Sequence, residues 1–202
     1  MIISIEGPDF VGKNTLVAQL LEEAKKITEK EFKVLQFPND ETEIGRMLRK
    51  KLQDKNWQEQ DGIIFQLLNT AHRYEYFQEI KKAKGNDNFI LLIIRYNLSG
   101  PVYGSIDGLN ATKVWELYRW LDDYRPDLTF IITRDFKIEE LQKLREPDHY
   151  ENEVKQEKVR KIYDIADVLW GGELGEVYKI TNNGNIKHAV SKIFEILRAK
   201  IT

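Results

Sequence analysis

The sequence predicts an α/β fold with three layers, in which helices cover both faces of a mainly parallel sheet. Segments with strand character alternate with helical segments along the whole chain. Two of the strand segments, Phe89–Ile94 and 128–132, are apolar runs too short for helices, as expected of strands that are covered on both faces. A loop with two glycines, residues 7–15, follows the first strand and opens a helix.

Apolar periodicity and turn residues divide the chain into its elements. Strands are predicted at residues 2–5, 33–37, Phe89–Ile94, 128–132 and 178–181. Helices are predicted around residues 16–21 and at residues 44–52, 62–84, 113–121, 138–144, 151–166 and 186–199. No repeat, linker or low-complexity stretch interrupts this series, so a single domain over residues 1–202 is expected.

The composition excludes several classes of protein. Apolar residues make up 42% of the 202 residues and charged residues 32%, which is typical of a globular protein. Cysteine is absent, which excludes disulfides, thiolate catalysis and cysteine zinc sites, and the net charge of -2 gives no basic field for nucleic acid. Neither a secretory signal nor an apolar run of about 20 residues is visible. We therefore expect a cytoplasmic enzyme or binding protein, with no membrane and no nucleic-acid partner.

The loop after the first strand has the pattern of a phosphate-binding loop. Gly7, Val11 and Gly12 belong to its backbone, and Lys13 opens the helix that follows. Glycines allow successive N–H groups to point at one anion, and the helix N-terminus adds a positive dipole end. The lysine can neutralise the phosphates of a nucleotide such as ATP. A turn with a lysine by chance is the alternative, but the strand before it and the helix after it favour the nucleotide site.

The position after the lysine is unusual for a magnesium site. A phosphate-binding loop normally has a serine or threonine hydroxyl there, whereas this chain has Asn14 followed by Thr15. An amide oxygen can also coordinate a hard cation, although its geometry differs from that of a hydroxyl. We therefore expect Asn14 and Thr15 to contribute to binding of Mg²⁺ with ATP.

Six segments, in order and with matching spacing, resemble the thymidylate kinase family. They are residues 3–9 leading into Gly12 and Lys13; Phe37 and Pro38 with residues 42–45; residues 67–75; Arg95 and Tyr96 with Ser99; residues 126–130; and residues 150–152 with Gln156, Glu157 and Arg160. Each segment is short, but together they cover nearly the whole chain.

The resemblance implies a fold and an activity. The fold is the P-loop α/β domain with a parallel five-stranded sheet and a short lid, here at about residues 137–153. The reaction transfers the γ-phosphoryl group of ATP to dTMP with Mg²⁺ and gives dTDP. A homodimer in which long helices pack across the interface is also implied; Tyr76 and Phe77 are candidates for it, although both could equally belong to the core.

The resemblance also implies roles for individual residues. Lys13, Arg95 and Arg145 are the expected catalytic cations, with Arg145 in the lid, where a surface ion pair is the alternative. Gly7, Val11, Gly12, Lys13, Asn14 and Thr15 are expected to bind ATP. The expected dTMP-binding residues are Asp9, Phe37, Asn69, Arg73, Arg95, Tyr103 and Tyr150. Arginine suits these roles because its planar fork binds two phosphate oxygens at once.

The chain departs from the family at functional positions. The family usually has a hydroxyl residue at the position of Asn14, an arginine at Asp40 and a phenylalanine at Asn69. It usually has an aspartate at Ile94, a glutamine or threonine at Gly104 and an arginine at His149. Phe65, one turn before Asn69, could replace the missing ring. Loss of one preorganised charge in such a site costs about 10² to 10⁵ in rate. Two alternatives therefore stay open: a kinase for another nucleotide or nucleoside, and a nucleotide-binding protein with impaired catalysis.

Overall fold

The computed structural model describes residues 1–134 and 147–201, and its sheet has five strands, all parallel. The strands are β1 (Ile2–Glu6), β2 (Glu31–Gln36), β3 (Phe89–Ile94), β4 (Leu128–Thr133) and β5 (Glu176–Thr181). Their order across the sheet is β2-β3-β1-β4-β5. β1 pairs with β3 and β4, for example Ile3 with Leu92 and with Leu128, so the first strand is central. The predicted parallel five-stranded fold is confirmed.

Helices connect the strands and cover both faces of the sheet. In the described residues the helices are α1 (Lys13–Ala24), α2 (Glu43–Leu52), α3 (Glu59–Tyr74), α4 (Phe77–Gly85), α5 (Ser99–Ile106), α6 (Ala111–Glu116), α7 (Glu153–Asp164), α8 (Ala166–Trp170) and α9 (Ile186–Ile201). Two short 3₁₀ helices, Arg119–Tyr124 and Gly171–Glu173, join them. None of the helices in these ranges has the length and apolar character needed to cross a bilayer.

The two faces of the sheet bury alternate residues of the same strands. Ile3 and Ile5 of β1 pack with α1 and α9 on one face. Ile2 packs on the other face, in a cluster to which α4 contributes Ile80 and Ala83. A third cluster joins α2, α3, α5 and α7 beside the carboxyl ends of the strands. Since side chains alternate across a strand, each central strand serves both layers, which explains its continuous apolar run.

The prediction of one long helix over residues 62–84 is wrong, because the structure has two helices there. α3 ends at Tyr74 and α4 begins at Phe77, and Tyr76 between them has a non-helical backbone. The Tyr76 hydroxyl donates to Asn39 and Glu41, and its ring is buried in the core. The break lets α3 pack on α2 and α5 while α4 lies on the sheet. Periodicity misses such a break because apolar residues continue through it.

Other differences concern short elements. α5 is absent from the sequence-based assignment because Gly100, Pro101 and Gly104 disfavour helices, yet burial of its residues stabilises it. The helix predicted at 113–121 begins earlier, at Ala111, because the Asn110 side chain caps it, and it gives way to a 3₁₀ helix. α1 begins three residues before the predicted Leu16, and α8 has no predicted counterpart. The remaining elements agree within two residues. The predicted helix at 138–144 and most of the lid lie outside the described residues.

Candidate active site

A cavity of about 300 Å³ lies at the carboxyl ends of β1, β2 and β3. This is the edge at which open parallel sheets bind ligands. Among the residues predicted for the site, the following line it: Asp9, Gly12, Lys13, Asn14, Thr15, Phe37, Asn69, Arg73, Arg95, Tyr103 and Tyr150. Gly7 and Val11 lie in the loop behind the cavity wall, and Arg145 lies outside the described residues.

The loop between β1 and α1 depends on two glycines with left-handed backbone angles. Gly7 has φ 133°, and a Cβ there would lie 2.2 Å from the carbonyl oxygen of Ile132. Gly12 has φ 87° and precedes the first residue of α1. The Val11 carbonyl accepts a 2.8 Å hydrogen bond from Asn182, which ties the loop to the end of β5. Backbone N–H groups at the start of α1 therefore border the cavity.

Lys13 is the buried cation of this loop. Its Nζ donates to the carbonyl oxygens of Gly7 at 3.0 Å and Pro8 at 2.5 Å. Burial, and secondarily the charge of Arg95, lowers the pKa of Lys13 from its usual 10.5 to about 7. A bound anion such as a phosphate offsets both effects, so the site favours an anionic ligand.

Arg95 and Asp9 form an ion pair across the cavity. Arg95 follows β3 with φ 65°, and its guanidinium donates to Asp9 and, at 2.8 Å, to the Tyr103 hydroxyl. Asp9 also accepts from Tyr103 at 2.8 Å and from Gln156 at 2.7 Å. The main-chain N–H of Asp9 donates to the same glutamine side chain at 3.0 Å. Side chains from three other parts of the chain thus converge on the Asp9 carboxylate.

The charge state of Asp9 follows from these partners. Burial acts to raise the pKa of Asp9, but the charges of Arg95 and Lys13 act in the opposite direction. Hydrogen bonds from Tyr103 and Gln156 also favour the carboxylate. The pKa of Asp9 is consequently below its usual 3.8, and the residue is ionised at neutral pH.

Arg73 is almost fully buried at the inner side of the cavity. Its guanidinium lies 4.9 Å from the centre of the Phe37 ring and 5.1 Å from that of Tyr118. It donates to the main-chain oxygens of Arg95 at 2.8 Å, Tyr96 at 2.7 Å and Asn69 at 2.8 Å. Arg73 therefore organises the chain after β3 as well as lining the cavity.

Asn14 and Thr15 are exposed on the first turn of α1 and line the cavity. The amide nitrogen of Asn14 donates a hydrogen bond to Gln36 at 3.0 Å, so the amide oxygen remains available as a ligand for a cation. Within residues 1–134 and 147–201, no three His, Asp or Glu side chains could hold a metal together. This donor set fits Mg²⁺, which is usually held by few protein ligands together with nucleotide phosphates and water.

Comparisons with known proteins agree with one another about the family. The sequence model of the family described as thymidylate kinase matches residues 5–193. The chain is 31% identical to a thymidylate kinase of Schizosaccharomyces pombe over 97% of this chain and 90% of that protein. It is 28% identical to one of Dictyostelium discoideum over 96% and 85% of the two chains.

The chain belongs to the thymidylate kinase family. Solved structures of family members show the same fold. A thymidylate kinase from Ehrlichia chaffeensis superposes with a TM-score of 0.73 at 21% identity, covering 98% of each chain. One from Candida albicans has a TM-score of 0.71 at 24% identity, covering 98% of this chain and 91% of that one. Family membership makes the chain a nucleoside monophosphate kinase, a phosphotransferase.

The family usually has an arginine at the position of Asp40. In this chain Arg49 lies beside Asp40. The Nε of Arg49 lies 3.2 Å from an Asp40 carboxylate oxygen, and its Nη2 donates to the Pro38 carbonyl at 2.9 Å. Arg49 lines the cavity and comes from α2, whereas Asp40 does not line it. The acidic residue therefore orients a cation from another element at this side of the site.

Ile94 stands where the family usually has an aspartate, and Glu6 is a carboxylate at the end of the neighbouring strand β1. Ile94 is 3% exposed at the end of β3, where it belongs to the core and also lines the cavity. Glu6 is fully buried and accepts hydrogen bonds from Ser99 at 2.6 Å and from Ser4 at 3.0 Å. It does not line the cavity, so it does not replace the missing carboxylate.

Residues of α3 shape one side of the cavity. The Asn69 amide donates to the Phe65 carbonyl at 2.9 Å, so it is bound within its own helix. Phe65 lines the cavity with its ring 5.9 Å from Tyr150. As expected from their spacing, Phe65 supplies an aromatic ring close to the position where Asn69 has none.

His149 has a different role from the lid arginine it replaces. Its Nε2 lies 2.9 Å from Asp107, and its ring stacks on Trp57 with the ring centres 3.6 Å apart. The neighbouring Tyr150 hydroxyl donates to the other Asp107 oxygen at 2.5 Å. His149 lies outside the main cavity, beside Tyr150, whose ring centre lies 4.9 Å from that of Tyr103.

Several polar residues of the site, among them Arg49, Gln156 and Asp148, are not identified by the sequence. Arg49 was indistinguishable from the other basic residues of α2, and Gln156 had been used only as a motif residue. Asp148 lines the cavity, and its pKa is raised to about 7 by burial first and then by the charges of Asp9 and Glu151. Only spatial proximity identifies them, because no local pattern distinguishes them from surface residues.

Proposed function

We propose that this protein transfers the γ-phosphoryl group of ATP to dTMP and gives dTDP. The observation that carries the proposal is that two cations, Lys13 at the start of α1 and Arg95 directly after β3, line one cavity. Two polyanionic substrates meet there only if their charges are neutralised. A phosphate oxygen of dTMP attacks the γ-phosphorus while the bond to the β–γ bridging oxygen breaks, so no covalent enzyme intermediate is needed.

The residues of the chain act by position and charge. The backbone of the β1–α1 loop and Lys13 bind the ATP phosphates, and Arg95 binds the phosphate of the acceptor. Asp9 holds Arg95 in place and can accept a hydrogen bond from a sugar hydroxyl. Phe37 and Phe65 border the base. Closure of these groups around two bound substrates excludes water from the transferred phosphoryl group.

Asn14 and Thr15 are the residues we assign to Mg²⁺. When bound, Mg²⁺ neutralises charge on the ATP phosphates. We assign Arg145 to the transferred group as the third catalytic cation, and residues of about 137–153 to a lid of the single domain. A cytoplasmic setting, in which ATP is available, is also part of the proposal.

A homodimer is also part of the proposal. Ile63 and Leu67 lie four residues apart on α3 and are both 51% exposed, which is unusual for large apolar side chains on one helix face. Ile64 beside them is 46% exposed. Tyr76 and Phe77, the earlier candidates, pack in the core cluster around β3 instead. The α3 surface is therefore the one we assign to the interface.

A coupled turnover assay with ATP, Mg²⁺ and dTMP tests the activity. We expect turnover by the unchanged protein, loss of at least about 10²-fold in Lys13→Ala, and no change in Lys26→Ala. Lys26 is a suitable control because it is exposed and paired with Glu23. No turnover with ATP still bound would contradict the proposal, and a screen of other acceptors would then separate another kinase from a silent binding protein. No observation in the described residues favours either alternative.

A further inference from the structure

Gln66 is a buried carboxamide on α3 that lines the cavity. Its side chain is 1% exposed, and neither Oε1 nor Nε2 has a hydrogen-bond partner among residues 1–134 and 147–201. A buried polar group without a partner is costly, and native proteins rarely leave both atoms of one amide unpaired. An amide in this condition beside a substrate cavity indicates that a ligand completes its hydrogen bonds.

Asn69, one turn further along α3, does not share this condition. Its nitrogen donates to the Phe65 carbonyl at 2.9 Å, and its oxygen lies 3.4 Å from an Arg73 nitrogen. Of the two cavity-lining amides on α3, only Gln66 has both its donor and its acceptor available to a ligand. The sequence draws attention to Asn69, whereas the hydrogen-bond pattern selects Gln66.

The aliphatic part of Gln66 is held against α5. A Cβ placed at Gly104 would lie 3.6 Å from Gln66 Cγ and 3.0 Å from a methyl carbon of Val114. The absence of a side chain at Gly104 thus leaves the space that the Gln66 stem borders. Packing restricts the stem while the amide end stays unpaired, as expected of a group that is preorganised for a ligand.

We propose that the Gln66 carboxamide binds the imide edge of the acceptor base. In this arrangement Oε1 accepts from the ring N3–H, and Nε2 donates to the adjacent ring carbonyl. A primary amide presents one donor and one acceptor in a plane, which matches that edge. Arg73, which lines the same cavity, can only donate, so it favours a carbonyl over an amino group on the base. The inference rests on the proposed function and adds the residue that reads the base.

The first test compares two nucleotides on the unchanged protein. Binding of dTMP and of N3-methyl-dTMP is measured by calorimetry. Since the methyl group removes the N3–H donor and adds bulk, we expect binding weaker by at least about tenfold. Equal affinity for both nucleotides would overturn the inference without any substitution.

The second test uses Gln66→Met, which keeps the length of the side chain and removes the amide. We expect its affinity for dTMP to fall about tenfold, its discrimination between the two nucleotides to shrink, and its affinity for ATP to stay unchanged. Its Tm without nucleotide should equal or exceed that of the unchanged protein, because an unpaired buried amide is gone. Gln78→Met, at an exposed position of α4, is the control.

The outcomes separate this inference from the proposed function. Gln66→Met with dTMP affinity within twofold of the unchanged protein would overturn the role of Gln66 alone. A lower Tm with discrimination retained would likewise overturn it, since the residue would then be structural. An unchanged protein that binds dTMP but does not phosphorylate it would contradict the proposed function. The dTMP affinities of Gln66→Met and of the unchanged protein would then still test the role of Gln66. Failure to bind dTMP at all would overturn both.

Discussion

Arg73 donates a 2.8 Å hydrogen bond to the main-chain carbonyl of Arg95, the residue that turns the chain after β3 with φ 65°. A left-handed angle at a non-glycine residue is strained and persists only where its surroundings hold it. The buried guanidinium of Arg73 thus helps to hold the backbone from which Arg95 reaches Asp9. Positioning of one arginine depends on another that is 22 residues away in sequence.

Arg73→Met is therefore expected to damage both stability and activity. The substitution removes the side-chain donor from three main-chain oxygens, so we expect a loss of about 3 kcal/mol in the free energy of unfolding. We also expect kcat/KM for dTMP to fall by at least about 10²-fold. Denaturant unfolding and steady-state kinetics measure the two effects. Arg119→Met, at an exposed position, is the control, and equal effects of both substitutions would contradict the relationship.

Arg49 and Arg46 provide a matched pair on α2. Arg49 lines the cavity, whereas Arg46 donates to the carbonyls of Asp40 and Glu41 on the exposed side. We expect Arg49→Gln to lower kcat/KM by about 10²-fold, because a cation near the phosphates is lost, and Arg46→Gln to change it by less than about threefold. Steady-state kinetics with dTMP varied checks this. If the two variants behave alike, the loss of Arg49 is merely a loss of surface charge.

Gly7→Ala tests the close approach of the phosphate-binding loop to β4. The added Cβ would lie 2.2 Å from the Ile132 carbonyl oxygen, so the loop or the strand must move. We expect a loss of more than about 2 kcal/mol in the free energy of unfolding and the loss of ATP binding. Gly184→Ala is the control, since its φ is 82° but nothing lies within 4 Å of the added carbon. That variant should lose only about 1 kcal/mol and retain ATP binding.

The lowered pKa of Lys13 predicts how the free energy of unfolding depends on pH. Folding lowers its pKa from 10.5 to about 7, so between these values the unfolded chain binds the extra proton. Stability contributed by this group therefore rises as the pH increases through that window, by up to about 1.4 kcal/mol per pH unit. Lys13→Met lacks the effect. Urea unfolding of both proteins without nucleotide from about pH 7 to about pH 9 is the measurement, and parallel curves would refute the lowered pKa.

The α3 surface predicts the oligomeric state. Ile63→Asp with Leu67→Asp places two charges on the apolar stripe assigned to the interface. We expect light scattering to give a dimer for the unchanged protein and a folded monomer for the double variant. Val168→Asp, at a position 83% exposed on α8, should remain a dimer. An unchanged protein that is monomeric at micromolar concentration would remove the homodimer from the proposal.

The sequence determined the layers of the fold and the position of the site. Apolar runs such as Phe89–Ile94 and the loop ending in Lys13 are local patterns, and local patterns fix which strands are buried and where the phosphate loop lies. The sequence did not predict the break at Tyr76 or the helix α5, because tertiary burial, rather than helix propensity or periodicity, decides them.

The partners of the site residues were decided only by the tertiary structure. The sequence marks Asp40 as a lost arginine and Asn69 as a lost ring, but it does not show that Asp40 orients Arg49 or that the Asn69 amide is bound to Phe65. It also gives no sign that the Gln66 amide is unpaired. Hydrogen bonds and ion pairs between α2, α3 and α5 depend on distances across the fold. Such distances are set by packing, and residues far apart in sequence determine them.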